Sequence, residues 1–380
     1  MTFAKSSLRL VLCVLLLLPS RGWAQEAPHS VWEPRRTWVF AVSCTVWKFD
    51  RSANMPPDGR EDSKLIATFK SRGVPEDHIV FLKDQAGTLA RIQSSFTELL
   101  GKTRPGDTLI FYFQGHGSRD VDGTKSTYYF LNYDCTNARD DSFFYVKDVF
   151  DTIEQHFKGA RVLLTADCCC SGGLAVEARK RRTSIGYACL TSTFAHNGST
   201  GAWTYTDSLI RGFSASPLVD LNGDSRIGLT ELADYTEQRM AVVESQKAVF
   251  ATFNGFDPHM EIARLAAPRS NPRLGHFIEA RWDDGKWYKG EIDNAKDGKF
   301  HIAYFDGDKK WVTPKEIRPY TPKEWPKGTA IEARNESAKD RWQPAVVLMA
   351  FHGLHLVHFN GQDSNVENQW MPPDRIRVKK

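Results

Sequence analysis

Two short stretches of this chain carry a thiol and an imidazole. His116 lies in Phe113-Gln114-Gly115-His116-Gly117, and three cysteines lie in Ala166-Asp167-Cys168-Cys169-Cys170-Ser171-Gly172-Gly173. The thiolate is the reactive form of cysteine, and a nearby imidazole lowers the thiol pKa and carries the proton to the leaving group. Cysteine and histidine are also soft metal ligands. Three consecutive residues, however, point in different directions, and no Cys-x-x-Cys pair occurs in the chain. The chemistry to expect is nucleophilic.

Each motif follows a continuous apolar run, residues 108–113 and 162–164. Strands buried on both faces of a parallel sheet read this way, and such sheets present their ligands at the carboxyl ends of the strands. Side by side, the two strands would deliver His116 and a cysteine to one edge. Strand-like runs at 38–43, 79–82, 108–113, 161–166, 186–190 and 248–253 alternate with helical patterns at 61–71, 88–100, 146–157 and 229–243. That alternation predicts an α/β domain with a mostly parallel sheet over residues 37–264. Thr88 is the expected N-cap of its helix and Gly101 its end.

With 380 residues, the chain is long enough for more than one domain at about 150 residues each. Residues 265–273 hold two prolines and no periodicity and read as a linker. Short aromatic-rich strands follow, and they repeat. Ile278-Glu279-Ala280-Arg281 recurs as Ile331-Glu332-Ala333-Arg334, and His301-Ile302-Ala303-Tyr304-Phe305-Asp306-Gly307 as His355-Leu356-Val357-His358-Phe359-Asn360-Gly361. Trp311 and Ile317-Arg318 likewise match Trp370 and Ile376-Arg377. Two small all-β units are predicted, at 274–320 and 325–380. Trp282, Trp287, Tyr288, Tyr304 and Phe305 either line a cage for a cationic side chain or form the core of a small barrel.

The motifs resemble those of the clan of caspases, metacaspases and paracaspases, in its bacterial form. Gly115-His116-Gly117 and Asp167-Cys168-Cys169-Cys170-Ser171-Gly172 match its two signatures. His116 stands 53 residues before Cys169, where the caspase-type pattern expects about 50. Residues 38–42, 128–134 and 187–192 are similar too, so the resemblance covers roughly 37–264. It implies a caspase-like fold and a cysteine endopeptidase acting on polypeptides, with Cys169 as nucleophile, His116 as acid and base, and the Gly117 and Cys169 amides as oxyanion donors. The family usually has His where this chain has Cys170. The C-terminal repeats resemble Tudor or Agenet modules of the SH3-like barrel type. They are expected to bind a peptide or protein partner or to pack on the peptidase domain. A catalytically silent caspase-like scaffold, binding through those repeats, is the alternative function.

The resemblance also implies specificity. Asp167 matches a residue of the first specificity pocket of metacaspases, and Asp62 a second acid there. Two carboxylates would favour Arg or Lys at the cleavage site, although Asp62 serves equally well as the acid of a helix N-terminus. The basic run 179–182, Arg-Lys-Arg-Arg, is then a self-processing site or a solvated loop. The chemistry needs no cofactor. One cation is a candidate: Asp220, Asn222, Asp224 and Glu231 occupy positions 1, 3, 5 and 12 of an EF-hand-like calcium loop, with Ser225 in place of the usual glycine. The competing reading is an Asx-rich turn before the next helix.

The N-terminus suggests export. Lys5 and Arg9 precede a nine-residue apolar core, 10–18, and Gly22-Trp23-Ala24 ends in a small residue. A signal peptide over 1–24 is expected, leaving a secreted or periplasmic protein with no membrane span. A net charge of +4 is too modest for a dedicated nucleic-acid binder.

Overall fold

In a computed structural model of the chain, residues 29–136, 142–335, 341–363 and 367–378 are described; the expected signal peptide and its Cys13 lie outside them. No helix among the described residues is long and apolar enough to cross a membrane. The α/β domain is built on a six-stranded sheet. Its strands are β1 (Thr37–Ser43), β2 (Ile79–Lys83), β3 (Thr108–Gln114), β7 (Arg161–Asp167), β8 (Gly186–Thr191) and β10 (Val249–Phe253). They lie in the order β10-β8-β7-β3-β1-β2. All pairs are parallel except β10 with β8.

The apolar runs explain this arrangement. Every residue of β1, β3 and β8, and all but the first of β7, is buried, because helices cover both faces. The alternation of side chains across a strand divides the core. Val39, Ala41, Ile110 and Tyr112 pack under α1 (Asp62–Ser71), α5 (Thr204–Phe213) and α6 (Leu229–Glu244). Phe40, Val42, Phe111 and Phe113 pack under α2 (Leu89–Gly101), α3 (Val146–His156) and α4 (Gly173–Ala178).

Between β3 and α3 the chain leaves the sheet as a hairpin, β4 (Gly117–Asp122) and β5 (Lys125–Phe130), joined by the short β6 (Phe144–Tyr145). Beyond α5, β9 (Arg226–Gly228) pairs with β11 (Glu261–Arg264). The domain starts before the predicted residue 37: Val31 bridges to Glu261, and the buried Trp32 donates its backbone N–H to the Glu261 carbonyl.

The two repeats fold alike. The first runs from β12 (Phe277–Arg281) through β13 (Trp287–Lys296), β14 (Lys299–Tyr304) and β15 (Lys309–Val312) to β16 (Ile317–Pro319). In the second, β17 (Ala330–Arg334), β18 (Trp342–Phe351), β19 (Leu354–Phe359), β20 (Gln369–Met371) and β21 (Ile376–Val378) repeat its antiparallel order. Both carry a bulge in the long second strand, after Ile292 and after Val347. Each also uses the same ion pair, Arg318 with Glu279 and Arg377 with Glu332. The arginine lies over an equivalent ring, Trp287 at 4.4 Å and Trp342 at 4.3 Å. The aromatic residues expected as a cage already have partners within the chain. Trp282 packs edge-on against the buried Tyr304, with Lys310 over its ring, and Phe305 lies against Phe277.

Both repeats are attached to the α/β domain. Ile278, Ala280, Ile292 and Ile302 of the first continue the apolar core beneath α5 and α6. Glu291, 3% exposed, accepts hydrogen bonds from Arg211 Nη1 of α5 (2.9 Å) and the Tyr235 hydroxyl of α6 (2.6 Å). Replacing Glu291 with Ala would take the acceptor from the buried Tyr235 hydroxyl and leave Arg211 only Asp207 as a carboxylate partner. We expect a loss of roughly 2–4 kcal/mol in denaturant unfolding, the lower part of the range for broken buried pairs because Arg211 is partly exposed. Glu291→Gln, which retains an acceptor, should lose less.

Candidate active site

Register, more than any single contact, assembles the site. Ser43 at the end of β1 pairs with Gln114 of β3, and Gln114 pairs with Asp167 of β7. His116 and Cys169 each lie two residues beyond that row. Gly115 makes the exit from β3 possible, with φ at +146° and a position where a Cβ would lie 2.8 Å from the Cys44 carbonyl oxygen. At Gly117 a Cβ would come within 2.4 Å of the Cys169 carbonyl oxygen and 2.7 Å of Cys168 Sγ. The two motifs are therefore in backbone contact.

The three cysteines have different surroundings. Cys168 is buried in the core, and burial pushes its thiol far up, as it does for Cys189. Cys44 is pushed up to about 12 by burial, with the nearby Asp84 charge adding to the effect. Cys170 takes φ +55°, a left-handed conformation that costs a non-glycine residue on the order of 1–3 kcal/mol. Its N–H is held by the Asn197 carbonyl at 2.9 Å. Cys169 sits between them, half-buried, and lines a pocket of about 330 Å³ together with His116, Asp167 and Gln114. Its Sγ accepts a hydrogen bond from the Ser199 N–H at 3.1 Å.

His116 is fixed on two sides. Its ring packs against Trp47 in a tilted arrangement, centroids 4.4 Å apart, and Nε2 lies 2.8 Å from the Ala53 carbonyl oxygen. A carbonyl only accepts, so Nε2 carries the hydrogen and the neutral ring keeps its lone pair on Nδ1. Sequence reasoning named no group to orient His116. It found neither Ala53 nor Ser199, since both act through the backbone and leave no mark in residue type.

The two expected specificity acids have separate fates. Asp167 is on the pocket wall, 6% exposed, and accepts from the Thr206 hydroxyl of α5 at 2.8 Å. Burial raises its carboxyl to about 7, against the opposing hydrogen bonds of Thr206 and Ser192. Asp62 is wholly buried at the start of α1, behind Ser43, and is not among the residues lining the pocket. Burial pushes its carboxyl up, but Arg60 and Ser43 outweigh that and hold it below the usual range. Arg60 joins Asp62 (Nε–Oδ2 3.1 Å) to Asp84 (Nη1–Oδ2 2.6 Å). Asp62 therefore already has its cation. Thr206 belongs to α5, which the sequence reading missed; Tyr205, Leu209 and Phe213, spaced by four, were the available signal.

The remaining expectations lie elsewhere. In the run 179–182, Arg181 is held by Asp151, Glu154 and Glu177, whereas Arg179, Lys180 and Arg182 are exposed. In the loop 220–231, the oxygens proposed for calcium accept the loop's own N–H groups. Asp220 takes those of Gly223 and Ser225, Asn222 that of Asp224, Asp224 that of Arg226, and Glu231 those of Asn222 and Gly228. No group of three or more His, Cys, Asp or Glu among the described residues is placed to hold a metal ion. These bonds shape the loop that leads into α6, with Ser225 at φ +68°.

Comparison with known proteins adds a family to this geometry. Residues 68–176, a segment containing both His116 and Cys169, match the model of the metacaspase, peptidase C14 domain. The segment is metacaspase-like. No curated protein matches the chain. Among solved structures, a Geobacter sulfurreducens protein is 11% identical, with a TM-score of 0.42 over 60% of this chain and 99% of that one. The metacaspase-like segment covers β3, the hairpin and β7, and so includes the motif contact at Gly117. Gly117→Ala should abolish or nearly abolish alkylation of Cys169 by a peptidyl chloromethyl ketone, because the added methyl group displaces the Cys169 backbone. The far-UV circular dichroism should remain that of the parent.

Proposed function

We propose that this protein is an exported cysteine endopeptidase that cleaves polypeptides after Arg or Lys with a Cys169–His116 dyad. The observation that carries this reading is the fixed His116 ring. With Nε2–H committed to the Ala53 carbonyl, the base is Nδ1, in a pocket shared with a half-buried thiol. His116 Nδ1 takes the Cys169 proton, and Sγ attacks the peptide carbonyl. The amides of Gly117 and Cys169 receive the oxyanion, a contribution that is usually the largest in acyl transfer. His116 then gives its proton to the leaving amine. A water molecule, deprotonated by the same nitrogen, cleaves the thioester.

Charge supports the specificity. Asp167 lies on the pocket wall with hydroxyl partners, so a basic substrate side chain would be its first cation and would drive its proton off. Arg60, which reaches Ser43 in the row of strand ends, is already shared by two carboxylates, which leaves it poorly placed to receive an acidic substrate. Self-processing at 179–182 would use the exposed Arg179, Lys180 or Arg182. Export follows from residues 1–24.

The test is a pair of reporter peptides ending in Arg and in its uncharged isostere citrulline. The Arg peptide should be cleaved, and Cys169→Ala should abolish the activity. His116→Ala should lower it by about 10²–10⁴-fold. Because Asp167 is neutral below about 7 and ionised above, the Arg-to-citrulline ratio of kcat/KM should rise between pH 6 and 8. The nucleophile and base act on both peptides and cancel from that ratio. Asp167→Asn should flatten the profile and cut the ratio by about 10–100-fold, the worth of a hydrogen bond to a charged group. Faster cleavage of an Asp-terminated peptide would overturn the specificity. A folded protein that cleaves none of the three would favour the silent scaffold.

A further inference from the structure

Asn197 takes no part in the chemistry above, yet three parts of the molecule meet at it. Its side chain is 173 residues away in sequence from Trp370 of β20 in the second repeat and pairs with both backbone groups of that residue. Asn197 Nδ2 donates to the Trp370 carbonyl at 3.0 Å, and the Trp370 N–H donates to Asn197 Oδ1 at 2.9 Å. Its own carbonyl holds the N–H of Cys170, next to the nucleophile. Two residues on, Ser199 N–H bonds to Cys169 Sγ.

The rest of the loop is tied down as well. His196 Nδ1–H donates to the Asn368 carbonyl of the second repeat at 2.8 Å. Thr200 N–H donates to Gln246 Oε1 at 2.8 Å. Behind the loop, Trp370 and Leu354 pack on Ala241 of α6, with Phe194 and Phe351 against them. Asn197 and His196 are both buried. An Asn side chain matched to a backbone donor and acceptor at once mimics a strand partner, so the second repeat reads the loop as it would an edge.

We propose that Asn197 is a positioning residue through which the second repeat holds the thiol. The loop 196–200 is short, and its four anchors leave it one geometry. That geometry aims the Ser199 N–H at Cys169 Sγ and the Asn197 carbonyl at the Cys170 N–H. An N–H directed at sulfur favours the thiolate, and the Cys170 contact keeps the turn after the nucleophile in its left-handed conformation. The second repeat is therefore part of the active site rather than a separable ligand-binding unit. This inference rests on the reading of Cys169 as the nucleophile, but its test does not need peptide cleavage.

The test uses the full chain and iodoacetamide, with the site of alkylation located by fragment mass spectrometry. In Asn197→Ala the Cys169 alkylation rate at pH 7 should fall by about 10-fold and its pH midpoint should rise by about one unit, as expected when a thiolate loses a donor. With the Arg peptide, kcat should fall by 10-fold or more. Asn197→Asp, which keeps the acceptor for Trp370 N–H but sets a charge against its carbonyl, should fall between Ala and wild type. A loss of stability alone would lower the amount of active protein without moving the midpoint. A wild-type midpoint and rate in whichever of the two variants folds with the parent's melting temperature would overturn the proposal. Wild-type alkylation together with no peptidase activity in the parent would instead count against the proposed function.

Discussion

The parallel pairing of β3 with β7 is the constraint on which the rest of the site depends. Parallel strands bring the same ends together, and their register here sets Gln114 beside Asp167. Just past that rung, both strands turn out of the sheet. One does so through a glycine at φ +146° and the other through Cys170 at φ +55°. A slip of one residue in this register would send alternate side chains to the opposite face. It would also bury the wrong member of each motif. The apolar runs that precede the motifs are what prevent such a slip, since Phe111, Phe113, Leu164 and Ala166 fill one face while Ile110, Tyr112 and Leu163 fill the other.

Both C-terminal repeats bear on this edge from outside it. The first repeat reaches it through α5: Glu291 holds Arg211, and five residues earlier on the same helix Thr206 bonds the pocket acid Asp167. The second reaches it through the loop that follows β8. In each case the repeat contributes a buried polar contact to an element that in turn touches the pocket, and apolar burial supplies the remainder of the attachment. A pair of ligand-binding modules on a flexible linker would show neither feature. Most aromatic rings that suggested a ligand cage are likewise engaged within the chain, with Arg318 and Lys310 over two of them.

Much of the fold was legible because burial leaves a pattern. The six sheet strands and the long helices α1, α2, α3 and α6 all fall within a residue or so of the runs that predict them. The repeat was visible as repeated words, and it folds as a repeat. What the sequence hid are elements whose residues serve contacts rather than patterns. The hairpin of β4 and β5 is polar along β4, with Arg119, Asp120 and Asp122. Helix α5 opens on Thr-Tyr-Thr-Asp and looks like a turn until its apolar stripe is counted. Asp62, read as a pocket acid or as the acid of a helix N-terminus, sits at the start of α1 and does not line the pocket. Its neighbour Arg60, two residues earlier, decides what that acid can do, and nothing in residue type says that an arginine will fold back upon it.

The run of three cysteines shows the same lesson at the scale of one turn. Residue type alone makes Cys168, Cys169 and Cys170 equivalent; the backbone does not. The last pleat of β7 sends Cys168 into the core, where burial keeps its thiol protonated. The left-handed residue at 170 then reverses the chain into α4, and of the two cysteines that line the pocket Cys168 is buried and Cys169 half-buried. A glycine would take that conformation without strain, but a side chain there does not prevent it once the Asn197 carbonyl holds the amide. The selection of one thiol from three is therefore a property of the turn and of the loop that braces it. The placement of Cys169 is tied through that loop to the packing of residues about two hundred positions away.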